Sequence, residues 1–360
     1  FLEAHSYIMY ADVNYVTEEI EADYFSNDTL YNDGTTCQNE YDDKNGNGKN
    51  DDGETSLGQD SSKKDTNDVT KPEGDNWGLE ALNVPGAWDY LSSFPSGEKV
   101  KVGILDNMFG NNPDIDNQLL KKYNNPTTID SVHGTHVAGI IGAEFDNNYG
   151  MSGVATSVEM YGYSILTKVG TTAERAQCFK TIIETEQAKV VNISYGYDTG
   201  TIFSASNGDS IAIKSIEKDN DAVCNILKNL ILKGNDFLII QSAGNGNDKE
   251  FVKNPSSSGF SYVEYDKSKL EHQGLVKYRG GTDAQYNFWT TYISDEMIAN
   301  RILVVGAVRY ELKNGKMTFP VTEFSNLGSR VDVYAPGYDI LSTVPTNRKN
   351  GGFQLLSGTS

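Results

Sequence analysis

The sequence predicts an α/β fold: a doubly wound, mostly parallel sheet with helices on both faces. Three observations carry this. Beyond position 76, short β-branched runs alternate with helix-length amphipathic stretches, the pattern of βαβ units. Those runs end in polar loops, which places chemistry at the carboxyl edge of a doubly wound sheet. At 360 residues and 38% hydrophobic content, the chain has ample material for a packed core.

The elements follow in order. Residues 6–20 alternate well enough to form a strand, but 24–75 are rich in Asn, Asp, Gly, Ser and Lys, with almost no aliphatic side chains. Such a stretch cannot bury enough apolar surface to fold alone, and it reads as a linker. The predicted strands are "KVKVGIL" (99–105), "VEMYGYSIL" (158–166), "KVVNIS" (189–194), "DFLIIQS" (236–242) and "RILVVGAV" (301–308). Between the second and third, Thr171 with Glu174 makes a capping box, and Ala176, Phe179, Ile182 and Ile183 share one helical face. This predicts a crossover helix. The organisation is therefore 1–23 as the tail of a preceding unit, 24–75 as linker, and 76–360 as the main domain.

Charge narrows the function classes. The formal net charge is −20, and residues 17–75 alone carry 17 acidic against 5 basic side chains. Like charges repel, so neither a nucleic acid nor an anionic membrane is expected as a partner, and cations are. No apolar run approaches the roughly 20 residues that cross a bilayer. Cys37, Cys178 and Cys224 are odd in number and widely spaced, which indicates neither a disulfide scaffold nor a zinc site. Cys178 and Cys224 are expected as buried thiols.

Four loops at strand or helix ends hold the side-chain types needed for acyl transfer. Asp106 ends the first strand, His133 opens "HGTHVAGIIGA", Asn245 follows the strand in "IIQSAGNGN", and Ser360 closes "LLSGTS". A serine hydroxyl is a poor nucleophile until an imidazole takes its proton. The imidazole needs a buried carboxylate to fix its tautomer, and the developing oxyanion needs a preorganised donor such as an Asn amide. Each role has one candidate. The chain has three other His: His5 in the N-terminal strand, His272 in a polar stretch, and His136, which is expected to pack inward or to support the site.

Together these motifs resemble the subtilisin-like serine proteases, the subtilases. "HGTHVAG" matches the family's His motif letter for letter, "SAGN" its oxyanion motif and "SGTS" the start of its nucleophile motif. "NWGLEALNVPGAWDY" resembles its mature N-terminal segment, and "FSNLGSRVDVYAPG" the stretch leading to the Ser. The resemblance covers residues 76–360 and follows the family's Asp, His, Ser order. It implies that Asp106 orients, His133 is general base and acid, Asn245 donates to the oxyanion, and Ser360 attacks. It further implies that Ser194, Tyr195 and Gly196 form the edge against which a protein or peptide substrate lies, with Ser242, Ala243 and Gly244 as the other wall of the primary pocket. An edge that pairs through its main chain suits an endopeptidase of broad or moderate specificity. Asn107 and Met108 depart from the Thr or Ser then Gly that usually follow the family's Asp. The polar, aromatic-rich stretch 246–298 is also enlarged; it reads as a surface excursion or a cleft rim.

Calcium is the implied cofactor at two places. Residues 43–54 fit a twelve-residue calcium loop: Asp43, Asn45, Asn47, the Lys49 carbonyl, Asp51 and a bidentate Glu54, with Gly48 at the sharp turn. Separately, "FDNNYGMSGVA" resembles the family's own calcium loop, with Asn147 and Asp114 as side-chain ligands. The tail "VNYVTEEIEADYFSND" resembles the end of a subtilase propeptide, which implies a zymogen inhibited by its own propeptide and, with the calcium loops, a secreted or cell-surface protein. In the family a helix starts at the nucleophile, so the domain is expected to continue past Ser360. Two other functions fit less of the sequence. One is a calcium-binding, non-catalytic protein on the same fold. The other is an α/β-hydrolase using Ser194 in "NISYG", which would need His272.

Overall fold

The computed structural model describes residues 28, 77–94, 97–126, 132–165, 172–195, 209–245, 251–253, 260–262, 276–278, 295–313, 316–322, 324–326, 331–347 and 352–360. Two short helices, α1 (Trp77–Ala81) and α2 (Val84–Ser92), lead into a seven-stranded sheet. Its strands are β1 (Val100–Asp106), β2 (Leu119–Tyr123), β3 (Val158–Ser164), β4 (Val190–Ile193), β5 (Leu238–Ser242), β9 (Ile302–Val308) and β12 (Val333–Pro336). They lie in the order β12-β9-β5-β4-β1-β3-β2, and every pairing is parallel. All five predicted strands are present, within two residues of their expected bounds.

Alternate residues of one strand reach opposite faces of a sheet, and here each face has its own core. Val102 and Ile104 of β1 and Met160 of β3 join a cluster with Val137 and Ala138 of helix α3 (Val132–Gly142). Leu105, Tyr161 and Tyr163 join the opposite cluster, with Phe179, Ile182 and Ile183 of the crossover and Val223 and Leu227 of helix α5 (Asp209–Leu232). The sheet is thus covered on both sides at β1 and β3, as the doubly wound reading requires. The crossover begins as α4 (Thr172–Phe179) and continues as a π-helical turn, Lys180–Thr185, that buries Thr181, Ile182 and Ile183. Phe179, Ile182 and Ile183 are buried as the periodicity predicted; Thr171 of the capping box lies outside the described residues.

Cys178 and Cys224 are free and buried, as expected. Within 246–298 the described residues include three short strands, β6 (Phe251–Lys253), β7 (Phe260–Tyr262) and β8 (Val276–Tyr278), in a sheet of their own, and then α6 (Glu296–Ala299). Two antiparallel pairs complete the list: β10 (Glu311–Lys313) with β11 (Lys316–Thr318), and β13 (Ile340–Thr343) with β14 (Phe353–Leu356). No helix among the described residues is long and apolar enough to cross a membrane. The segment 6–20 and the twelve-residue loop with Asp43, Asn45, Asn47, Lys49, Asp51 and Glu54 lie outside the described residues.

Strand order reverses at β1: the chain first builds β3 and β2 on one side of it, then β4, β5, β9 and β12 on the other. A crevice opens where neighbouring connections diverge, beyond the carboxyl ends of β1 and β4. Asp106 is the last residue of β1, and Ser194 follows the last of β4.

Candidate active site

Asp106 is buried to 1% exposure at the end of β1, and α3 begins one residue before His133. The His133 Nδ1 lies 2.8 Å from Asp106 Oδ1 and 3.0 Å from Oδ2. Such closeness needs a residue without a side chain beside the His. A Cβ on Gly134 would stand 2.3 Å from the Met108 carbonyl oxygen and 3.2 Å from Asp106 Cβ, so any other residue there would push the two loops apart. The Asn107 N–H donates to Asp106 Oδ1 at 2.7 Å, so a main-chain amide holds the carboxylate in place although the residues after it depart from the family pattern.

Two opposing effects act on the His133 ring. Burial disfavours the imidazolium, but the charge of Asp106 and its hydrogen bond outweigh burial, and the pKa ends above the ordinary value of 6.5. With Nδ1–H given to the carboxylate, the neutral ring carries its lone pair on Nε2, the tautomer a general base needs. The imidazole side chain is 38% exposed, so one edge rests on Asp106 and the other remains accessible.

The "SAGN" and "SGTS" loops are laced together. Asn245 Oδ1 accepts from the Thr359 N–H at 2.8 Å and from the Thr359 hydroxyl at 3.0 Å, and that hydroxyl accepts from the Gly244 N–H at 2.9 Å. Because Oδ1 accepts two donors, the orientation of the amide is fixed and its NH2 group is left to donate. Asn245 is itself exposed, and Gly244, with φ of +90°, makes the turn that presents it. Asn326 holds the same loop from behind, donating its N–H to the Gly244 carbonyl and Nδ2 to the Ala243 carbonyl.

Ser360 meets the segment after β4. Its hydroxyl donates to the Ser194 carbonyl at 3.4 Å, and the Ser194 hydroxyl donates to the Ser360 carbonyl at 3.2 Å while accepting from Asn192 Nδ2 at 2.8 Å. Ser194 is therefore engaged with Asn192 and Ser360; His272 and Gly196 lie outside the described residues. The Tyr195 ring packs partly buried against the core that contains Leu105 and Val191. Ser242 and Ala243 are buried beneath the loop. His133, Ser194, Ser242, Asn245 and Ser360 all line one cavity of about 400 Å³.

His136 packs inward, as expected. It is 4% exposed, its Nε2 lies 3.0 Å from the Gln354 carbonyl, and its own carbonyl accepts from the Ser342 hydroxyl. Burial pushes its pKa down to about 4, the hydrogen bond to Gln354 acting the other way.

The second site holds a residue that sequence reasoning missed. Asp28, within the stretch read as linker, is 2% exposed and seated in the turn 146–152. Its carboxylate accepts from the Asp146 N–H at 3.0 Å, the Asn147 N–H at 2.7 Å and the Ser152 hydroxyl at 2.8 Å. Asp146 (φ 63°) and Asn148 (φ 62°) take left-handed conformations, which turn successive N–H groups into an anion cradle. Asp114 lies alongside, accepting from Asn147 Nδ2 at 3.2 Å and from the Met151 N–H at 2.8 Å. Burial above all, with the charges of Asp28 and Glu144, raises its pKa to about 8. Two buried carboxylates form a hard-oxygen pair that suits calcium, and a divalent cation would relieve the repulsion between them. The Asn147 amide, expected as a ligand, instead turns its nitrogen to Asp114 while its oxygen accepts from the Tyr149 N–H at 2.8 Å, so it offers the pair no oxygen in this arrangement. Among the described residues, no group of three or more His, Cys, Asp or Glu is gathered as a metal cluster. The only signal for Asp28 in the sequence was its own acidity, in a stretch full of acids.

The model of the Subtilase family (Peptidase_S8) matches residues 97–360. The chain is 26% identical over 297 residues to the thermophilic serine proteinase of Bacillus sp. (strain AK1), covering 80% of this chain and 54% of that protein. It is also 26% identical over 294 residues to the major intracellular serine protease of Bacillus subtilis (strain 168), covering 79% of this chain and 70% of that protein. The chain thus spans about half the length of the first of these relatives. Among solved structures, a cold adapted subtilisin-like serine proteinase matches at 21% identity and a TM-score of 0.42, covering 74% of this chain and 73% of that one.

Proposed function

We propose, from the premise that this chain belongs to the Subtilase family, that it is a serine endopeptidase in which Asp106, His133 and Ser360 form the catalytic triad. The observation that carries the reading is the contact of His133 Nδ1 with both oxygens of a buried Asp106. A buried carboxylate on one ring nitrogen leaves the other as base, and it stabilises the imidazolium once a proton arrives.

The reaction follows from these roles. Ser360 Oγ forms a bond to the substrate carbonyl carbon as its proton passes to His133 Nε2. The carbonyl oxygen becomes an oxyanion that the Asn245 NH2 group stabilises, its Oδ1 being occupied by Thr359. The C–N bond then breaks as His133 returns the proton to the leaving amine. Water repeats the sequence on the acyl-enzyme and frees Ser360. Ser194, Tyr195 and Gly196 offer the edge on which the peptide lies, and Ser242, Ala243 and Gly244 the facing wall.

Asp28 and Asp114 would hold calcium, joined by the Asn147 oxygen once that amide turns over, and the ion would supply stability to the 144–152 loop while taking no part in the chemistry. The 43–54 loop would hold a second ion. Secretion as a zymogen inhibited by its propeptide completes the proposal, supported by the acidic, calcium-suited loops and by a matching relative named minor extracellular protease Epr. The test is hydrolysis of casein by the intact protein and by its Ser360→Ala variant. Loss of about 10⁶-fold in turnover is expected, and equal rates would overturn the assignment.

A further inference from the structure

We infer that Gln241, which immediately precedes the "SAGN" motif and has been given no role above, is the positioning residue that holds the substrate-binding edge in place; this rests on the proposed role of Ser194–Gly196. The pairing of β4 with β5 ends at Ile193 opposite Gln241. Beyond that point β5 turns to its other neighbour, with Ser242 paired to Val305 and the Ala243 N–H given to the Val305 carbonyl. The segment after Ile193 therefore loses the strand that flanked it. The Gln241 side chain takes over: Nε2 donates to the Ile193 carbonyl at 3.1 Å and to the Tyr195 carbonyl at 2.9 Å.

Both amide hydrogens are used, and only the NH2 end of the side chain can satisfy two carbonyls, so its orientation is fixed. The residue is 0% exposed, and its Oε1 is buried without a hydrogen-bond partner among the described residues. A buried amide that leaves its oxygen unsatisfied carries a cost, which marks the two donated bonds as its purpose.

The consequence for substrate lies in the alternation of an extended chain. Carbonyls two residues apart face the same side, and the one between them faces the other. Ile193 and Tyr195 are gripped by Gln241 on one side, while the Ser194 carbonyl faces the opposite side, where it meets the Ser360 hydroxyl. Gln241 thus anchors the rear edge so that the front edge is presented, already extended, to a peptide backbone beside the nucleophile. An edge ordered in advance spares the substrate the cost of ordering it. This role predicts an effect that grows with the length of chain lying on the edge.

The test is Gln241→Met, which keeps side-chain length and removes both donors. Two substrates are compared in the intact protein: a peptide amide extending four residues before the scissile bond, and an ester of a single acylated amino acid. KM for the peptide should rise about tenfold with kcat within about twofold, whereas the ester should lose much less. Equal changes for both substrates, or none for either, overturn the inference. Gln241→Glu gives a second readout. Its carboxylate opposes two carbonyls, but its protonated form regains one donor, so the peptide-to-ester ratio of KM should fall toward acid pH in this variant and stay level in the wild type. If Q241M lacks the native near-ultraviolet circular dichroism, Gln241→Asn, one methylene too short, carries the same comparison. Ser360→Ala is run alongside: activity retained there refutes the protease reading itself, whatever Gln241 does.

Discussion

Acidification should destabilise this protein through one identifiable side chain, His136. The ring is 4% exposed and its pKa is pushed to about 4, against the ordinary 6.5. Burial is the largest cause, and the nearby His133 adds to it. The folded state therefore binds this proton less readily than the unfolded chain does, so stability rises with pH between the two values. The contribution is complete above pH 6.5 and falls by about 1.4 kcal/mol per pH unit below it. It is gone near pH 4, for a total of about 3 kcal/mol. Urea unfolding at pH 7, 6, 5 and 4, for the wild type and for His136→Gln, isolates this from the carboxylates common to both. The difference between the two proteins should change by about 3 kcal/mol across that range. Repeating the series in a His133→Gln background should leave most of the effect, because burial outweighs the neighbouring charge. A difference that stays flat from pH 7 to 4 would refute the argument.

Two further outcomes are expected. Asn245→Ala should lower turnover by about 100- to 1000-fold with little change in KM, as removal of a single oxyanion donor does in the subtilisin example on which that range rests, and an unchanged rate would assign the donor elsewhere. Chelation of calcium should lower the melting temperature, and Asp28→Ala should abolish most of that response, because it removes a buried carboxylate from beside Asp114 and Asn147; an undiminished response in calorimetry would place the ion elsewhere.

What the sequence made legible was whatever repeats or clusters along the chain. The apolar runs that became β1 and β3 are buried almost throughout, and those that became β4, β5 and β9 alternate buried with half-buried residues, so composition alone marks all five. Asp106, His133, Asn245 and Ser360 were legible because each sits in a short motif whose neighbours have a structural duty, such as Gly134 making room for the Met108 carbonyl. Strand β2, "LLKKY", went unseen because an edge strand is half exposed and its lysines mask the pattern. Asp28 and Gln241 were illegible for a different reason. Asp28 acts on residues 118 to 124 positions away, and Gln241 on carbonyls 46 and 48 positions away. No local period encodes such contacts.

The distances along the chain between partners at the cleft also bear on biosynthesis. Asp106 and His133 are 27 residues apart, but Asn245 and Thr359 are separated by 114, and Ser194 and Ser360 by 166. Translation at about 5–20 residues per second then puts some 10–45 seconds between emergence of His133 and of Ser360. Throughout that interval the nascent chain carries an acid–base pair with no nucleophile, joined about midway by an Asn amide that Thr359 has not yet aligned. Under the proposed mechanism, a ribosome making this protein would not be exposed to its proteolytic activity until the chain had already been extruded past both strands of the β13–β14 hairpin.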